Sequence, residues 1–134
     1  MKIILTGAAG FIGFHLAKSL LDDGFEICGV DNLNGYYSPQ LKKDRLNILN
    51  DYVNFKFEKV DISNLDDLVK IFKKFSPEKV VNLAAQAGVR YSIENPYTYV
   101  QNNIVGTLNL LELSKDYNVK DFVFASTSSV YGLT

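Results

Sequence analysis

Three features of the sequence predict a doubly wound α/β fold, with helices on both faces of a parallel sheet. They are five short apolar runs rich in strand-forming residues, segments of helical spacing between them, and a glycine-rich turn joining the first strand to the first helix. The first run is "KIILT" (2–6), followed by a helix from Phe11 to Leu21 that Gly24 closes. "EICGVD" (26–31) is the second strand, and Pro39 to Leu49 has helical spacing after it. "NFKFEKV" (54–60) is the third strand. It leads into a helix from Leu65 to Phe75, for which "SNLD" offers Ser63 as the N-cap with an acid three residues on. "KVVNLA" (79–84) is the fourth strand, and a long helix runs from about Pro96 to Tyr117. In that helix Val100, Ile104, Leu108 and Leu111 fall at i, i+4, i+8 and i+11, a stripe expected to pack against the sheet. "DFVFAS" (121–126) is the fifth strand and reads as buried. Parallel strands joined by helices take right-handed crossovers, which distribute the helices over both faces.

With 134 residues, 47% of them hydrophobic, the chain suffices for one domain that buries about two thirds of its unfolded surface. A formal charge of −1, from 14 basic and 15 acidic residues well mixed along the chain, supplies neither a basic stripe for nucleic acid nor a polybasic membrane patch. The expected partners are small molecules or proteins, and a membrane-spanning segment is not expected, because no apolar run approaches the roughly 18 residues it needs. One cysteine, Cys28, and one histidine, His15, make a metal site an unpromising reading and an internal disulfide impossible. A cytoplasmic location fits the absence of a long apolar core after Met1. Cys28 is expected in the core and His15 on an exposed helix face.

The first turn reads "LTGAAGFIG", with Gly7, Gly10 and Gly13 spaced G-x-x-G-x-x-G between strand and helix. Glycine allows a tight turn and close backbone approach, and the unpaired N–H groups of a helix start favour a pyrophosphate. A flexible turn or close helix–strand packing would also account for the three glycines. Asp31 ends the second strand 18 residues after Gly13, where a carboxylate can accept hydrogen bonds from an adenosine ribose and repel a 2′-phosphate. NAD is therefore expected in preference to NADP, although a strand-ending turn in "DNLNG" is the plainer reading of Asp31.

The glycine spacing resembles that of the extended short-chain dehydrogenase/reductase superfamily, and four further segments resemble its sugar-nucleotide branch, the NAD-dependent epimerase/dehydratase family. These are "DNLNGYY" (31–37), "VDI" (60–62), "NLAAQAGVRYSIENP" (82–96) and "ASTSSVYG" (125–132), in order around the strands. Together they are most similar to the UDP-glucuronate 4-epimerases. The resemblance implies a Rossmann sheet of strand order 3-2-1-4-5. It implies that backbone around Gly7, Gly10, Phe11, Ile12 and Gly13 holds the pyrophosphate of NAD, that Asp31, Asn32 and Asn34 hold the adenosine ribose, and that Asp61 and Ile62 meet the adenine. Leu83, Ala84, Ala85 and Gln86 would pass beneath the dinucleotide, Asn103 would support the site, Ser126 would lie near the nicotinamide, and Arg90 would approach phosphate or substrate. Thr127 would bond the reacting sugar oxygen, with Ser128 beside it, as the catalytic hydroxyls. Gly35 stands where the family usually has an acid, and Gln101-Asn102 where smaller or acidic residues are commoner.

The family's Y-x-x-x-K pair is missing from its place on a helix after the serine–threonine strand. Tyr52 to Lys56 has the spacing, but it runs from a loop into a strand, where the two side chains share no helical face. The resemblance therefore implies an N-terminal portion, residues 1–134, of an NAD-binding domain, without the later strands and the substrate domain, and inactive by itself. For the parent it implies a UDP-sugar substrate and a homodimer. Where related dehydratases carry an Asp-Glu pair, this chain has Ser128 and Ser129, which favours epimerisation through a 4-keto intermediate over loss of water. UDP-glucose epimerisation, decarboxylation, and a non-catalytic NAD-binding module remain alternatives. An open edge on the last strand is expected to promote self-association.

Overall fold

The computed structural model describes residues 1–33, 39–85 and 89–132, apart from the side chains of 89–91, 128 and 129. Five parallel strands form one sheet in the order β3-β2-β1-β4-β5: β1 (Lys2–Thr6), β2 (Glu26–Asp31), β3 (Phe55–Lys59), β4 (Lys79–Asn82) and β5 (Asp121–Phe124). The expected order and direction are those observed. Helices α1 (Phe11–Asp22), α2 (Pro39–Leu49) and α3 (Leu65–Phe75) follow the first three strands. After β4 come α4 (Val89–Glu94), α5 (Pro96–Tyr99), a π-helical segment (Val100–Val105) and α6 (Gly106–Asp116), and a 3-10 turn, Ser128–Tyr131, follows β5. Among the described residues no helix is long and apolar enough to cross a membrane.

The two-residue period of the strands sorts the core into two layers. Ile3 and Leu5 of β1, with Ile27 and Val81, pack on one face beneath Phe14, Ala17 and Leu21 of α1 and Leu46 and Leu49 of α2. Ile4, with Cys28, Val30 and Val80, packs on the other face against Leu68, Ile71 and Phe72 of α3 and Leu110 and Leu113 of α6. The chain moves outward from β1 to β2 and β3, then returns to place β4 on the other side of β1. That reversal opens a crevice beyond the carboxyl ends of β1 and β4, the usual ligand position in such sheets.

Several local expectations are corrected. The N-cap of α3 is Asn64, whose side chain accepts from the Asp67 N–H at 3.1 Å. Ser63 instead donates its hydroxyl and its backbone N–H to Asp61 Oδ1, at 2.8 and 2.9 Å, closing a turn one residue earlier. The long helix is interrupted by the π segment, and its predicted apolar stripe faces outward: Val100, Ile104, Leu108 and Leu111 are 45%, 62%, 54% and 46% exposed. The sheet is met by Gly106, Leu110, Leu113 and Ser114. Two stripes run along this helix, and Gly106 selects the inner one because its missing side chain lets the helix approach Ile62. Strand β5 takes the edge position that the expected order implies, but it is not the buried strand its composition suggested, with Val123 and Phe124 each 53% exposed.

Candidate functional site

The glycine turn is shaped by close backbone approaches. Gly7 has φ +72° and donates its N–H to Val30 O at 2.7 Å, and a Cβ there would lie 2.9 Å from the carbonyl carbon of Leu83. A Cβ on Gly13 would lie 2.0 Å from Gly7 O, so a side chain at either position would force the turn apart from β4 or from α1. The N-cap of α1 is Gly10, with no side-chain cap, so the first-turn N–H groups are left to solvent or to a ligand.

The first-turn residues form one wall of a cavity of about 560 Å³ at the carboxyl end of the sheet. Of the sequence-predicted residues, Gly7, Gly10, Phe11, Ile12, Gly13, Asp31, Asn32, Ile62, Leu83, Ala84, Ala85 and Ser126 all line it. Segments from all five strand ends thus converge on a single space. Asn34 and Gln86 lie outside the described residues, as do the side chains of Ser128 and Arg90. Asp61 is not on the wall; its Oδ1 is taken up by Ser63, while Val60 and Ile62 on either side face the cavity. Asn103 is not on the wall either. Its neighbour Asn102, in the π segment, lines the cavity. Thr127 is exposed, beside Ser126 but off the wall, and its carbonyl accepts from Val130 N at 3.3 Å.

Beneath the cavity, Thr6 and Asn82 fix the exit of β4. The Thr6 hydroxyl donates to Asn82 Oδ1 at 2.6 Å and accepts from the N–H groups of Leu83 and Ala84, each at 3.1 Å. Asn82 in turn donates to Thr107 Oγ1 at 3.3 Å. Strands β1 and β4 and helix α6 are thereby tied together under Leu83 to Ala85. The Asn109 side chain donates to Ile62 O at 3.0 Å and anchors the opposite wall.

Helix α2 contributes residues that sequence reasoning missed. Lys42 is buried and pairs with Asp31 at 3.3 Å, and Asp31 also accepts from the N–H groups of Ala9 (3.1 Å) and Leu33 (2.8 Å). Leu33 makes that bond from a left-handed backbone, φ +56°, which is sparsely populated for a branched residue. Arg45 Nη1 donates to Ala9 O at 3.0 Å, its guanidinium 5.9 Å above the Phe11 ring. Both Lys42 and Arg45 line the cavity. A signal existed, because Lys42, Leu46 and Leu49 fall at i, i+4 and i+7 on one stripe, and a lysine on a buried stripe needs a partner.

The Tyr52–Lys56 spacing is excluded as an acid–base pair. The Tyr52 hydroxyl donates to Asp22 at 2.5 Å, and that carboxylate raises the phenol's pKa, the wrong direction for a base. Lys56 is on β3, where neighbouring Lys74 lowers its pKa.

The chain matches the profile of the family described as GDP-mannose 4,6 dehydratase over residues 4–134. It is 58% identical to "Protein CapI" of Staphylococcus aureus, over 98% of this chain and 39% of that protein. It is 54% identical to a UDP-glucuronate 4-epimerase of Thermodesulfobacterium geofontis, over 96% of this chain and 40% of that protein. The chain thus spans about two fifths of the length of these relatives. Among solved structures it is similar to the UDP-glucuronic acid 4-epimerase of Bacillus cereus in complex with UDP-glucuronic acid and NAD, with a TM-score of 0.87 and 40% identity over all of this chain and 42% of that one. The UDP-glucose 4-epimerase of Thermotoga maritima with UDP-glucose gives a TM-score of 0.84 and 38% identity, over 96% of this chain and 38% of that one.

Proposed function

The chain belongs to the family described as GDP-mannose 4,6 dehydratase, and from that premise we propose that it is the NAD-binding portion of a UDP-glucuronate 4-epimerase. The observation that carries the reading is the convergence of the glycine turn, Asp31, Ile62, Leu83 to Ala85 and Ser126 on one cavity. Its parts fit a dinucleotide: an uncapped helix start for the pyrophosphate, an acid at the end of β2 for the ribose, and apolar Val60 and Ile62 for the adenine. NAD, when bound, would accept a hydride from the sugar C4 and return it to the opposite face. The chain's own part is to bind and orient, with Thr127 and Ser128 as hydroxyls for the C4 oxygen and Arg90 for a phosphate or the sugar. Two serines in place of acids at 128–129 support epimerisation over dehydration.

Among the described residues no helix carries Y-x-x-x-K, so we propose that the chain binds cofactor without turning over UDP-sugar. The proposed whole enzyme is a cytoplasmic homodimer. NMR of UDP-glucuronate incubated with this chain and NAD tests the reading. Formation of UDP-galacturonate would overturn the inactivity, and the absence of NADH binding by fluorescence titration would overturn the cofactor site. The second reading is a UDP-glucose 4-epimerase, favoured by the likeness to the Thermotoga maritima enzyme. Products formed when the chain is extended with the sequence of its parent decide between the two, and inactivity of that extended protein would favour a non-catalytic NAD-binding module.

A further inference from the structure

Lys56 has no part in the cavity, but it stands in a cluster of charges of its own. It pairs in register with Cys28, and Glu58 pairs with Val30. Cys28 and Val30 belong to the layer that packs against α3, so Lys56 and Glu58 rise on the α3 side of the sheet. Lys74, in the last turn of α3, comes to the same place. All three charges act on the Cys28 thiol beneath them. None of the three lines the cavity.

Two lysines brought together in this way cannot both hold a proton without repulsion. The contact with Lys74, aided by desolvation, keeps the Lys56 amine below the usual lysine range, and Glu58, 4.0 Å from Nζ, only opposes the effect. An amine beside a second cation is a better nucleophile at neutral pH, because more of it is free of its proton. Lys56 is also reachable, with its side chain 48% exposed. Lys70 and Lys74 fall at i and i+4 on α3, both exposed, and their charges favour the approach of an anionic reagent.

We propose that Lys56 is a site of acylation by donors of the acyl phosphate class, and that Lys74 is its positioning residue, the cation that meets the donor's phosphate. In the step, the Nζ lone pair attacks the carbonyl carbon and forms the C–N bond. The bond from that carbon to the bridging oxygen breaks, and the amine proton leaves with the phosphate as hydrogenphosphate. Nothing is oxidised or reduced, and the inference stands apart from the cofactor reading. It is tested by incubating the 134-residue chain with acetyl phosphate at pH 8 and following each lysine by peptide mass spectrometry. Lys56 is expected to be acetylated at least about threefold faster than the exposed Lys43 and Lys115. Lys74→Met is expected to bring Lys56 down to the rate of those two, and Lys74→Arg, which keeps the charge, to preserve its lead. Lys74 is exposed, so neither variant disturbs the core. A smaller lead in the unaltered chain overturns the inference. So does a Lys74→Met variant in which Lys56 reacts as before, or faster acetylation of Lys74 than of Lys56.

Discussion

Thr6 and Asn82 meet at 2.6 Å across the carboxyl ends of β1 and β4, both almost wholly buried, and the same threonine hydroxyl receives the N–H groups of Leu83 and Ala84. One oxygen thus holds the floor of the cavity to the central strand. Thr6→Val keeps the shape and removes the hydroxyl, leaving Asn82 and two backbone N–H groups short of partners. It is expected to cost about 2–3 kcal/mol of stability, measured by urea unfolding, and to weaken NADH binding. Thr6→Ser keeps the oxygen and is expected to restore most of both.

Gly106 governs the Ile62 wall of the cavity by what it lacks. A Cβ at this position would sit 2.4 Å from Ile62 Cγ1, so Gly106→Ala must push Ile62 toward the cavity or lift α6 from the sheet. A loss of about 1–3 kcal/mol is expected from the overpacking, together with weaker NADH binding. Ile62→Val removes the outermost carbon of that side chain, and the double variant is expected to recover part of the loss. Additive losses in a double-mutant cycle would show that the two positions do not act on each other.

Gly13 permits a still closer approach. Its missing side chain leaves room for Gly7 O, which a Cβ would meet at 2.0 Å, and neither partner is a side chain that can swing away. Gly13→Ala is expected to open the turn and abolish NADH binding at concentrations that saturate the unaltered chain. Circular dichroism should still report the sheet, because the turn lies beyond the strand ends.

The sequence disclosed the strands because they are short apolar runs, the central ones alternating between two cores as Ile3, Ile4 and Leu5 do on β1; their order came from the resemblance of the motifs to a known family. It disclosed the glycine turn and Asp31 because their places, between the first strand and its helix and at the end of the second strand, narrow the several uses those residue types have. What it did not disclose depends on contacts between distant elements. The burial of Lys42 follows from how α2 lies over Asp31, and the π segment that carries Asn102 to the cavity is marked by no local pattern. The helix bearing Leu108 and Leu110 has two apolar stripes, and periodicity cannot say which one meets the sheet. That choice was made by Gly106 against Ile62.

The outer stripe has its own consequence. Val100, Ile104, Leu108 and Leu111 present a continuous apolar band on one helix face, and β5 leaves an open sheet edge with Val123 and Phe124 exposed. Such surfaces associate in water. The chain is expected to sediment as a dimer or larger species at high concentration. Ile104→Glu with Leu108→Glu should shift it toward monomer without loss of stability, since neither side chain belongs to the core. A clean monomer for the unaltered chain across that range would count against the stripe as a contact surface.

Cys28 offers a probe of the sheet that is independent of the cavity. Burial between β1 and α3 pushes its thiol from an ordinary 9.0 up to about 12, with the Glu58 charge adding to the effect and Lys56 and Lys74 opposing it. The folded state therefore holds this proton more tightly than the unfolded chain. The stability it contributes is complete below pH 9.0 and is lost as pH rises toward about 12. Across that window the slope approaches about 1.4 kcal/mol per pH unit. Urea midpoints should fall above pH 9.0 in the unaltered chain and fall less in Cys28→Ala, compared at matched ionic strength. At pH 8 a thiol reagent should label Cys28 only as fast as the sheet opens. Rapid labelling of the folded chain, at the rate of an exposed cysteine, would mean that α3 does not close over β2 in solution.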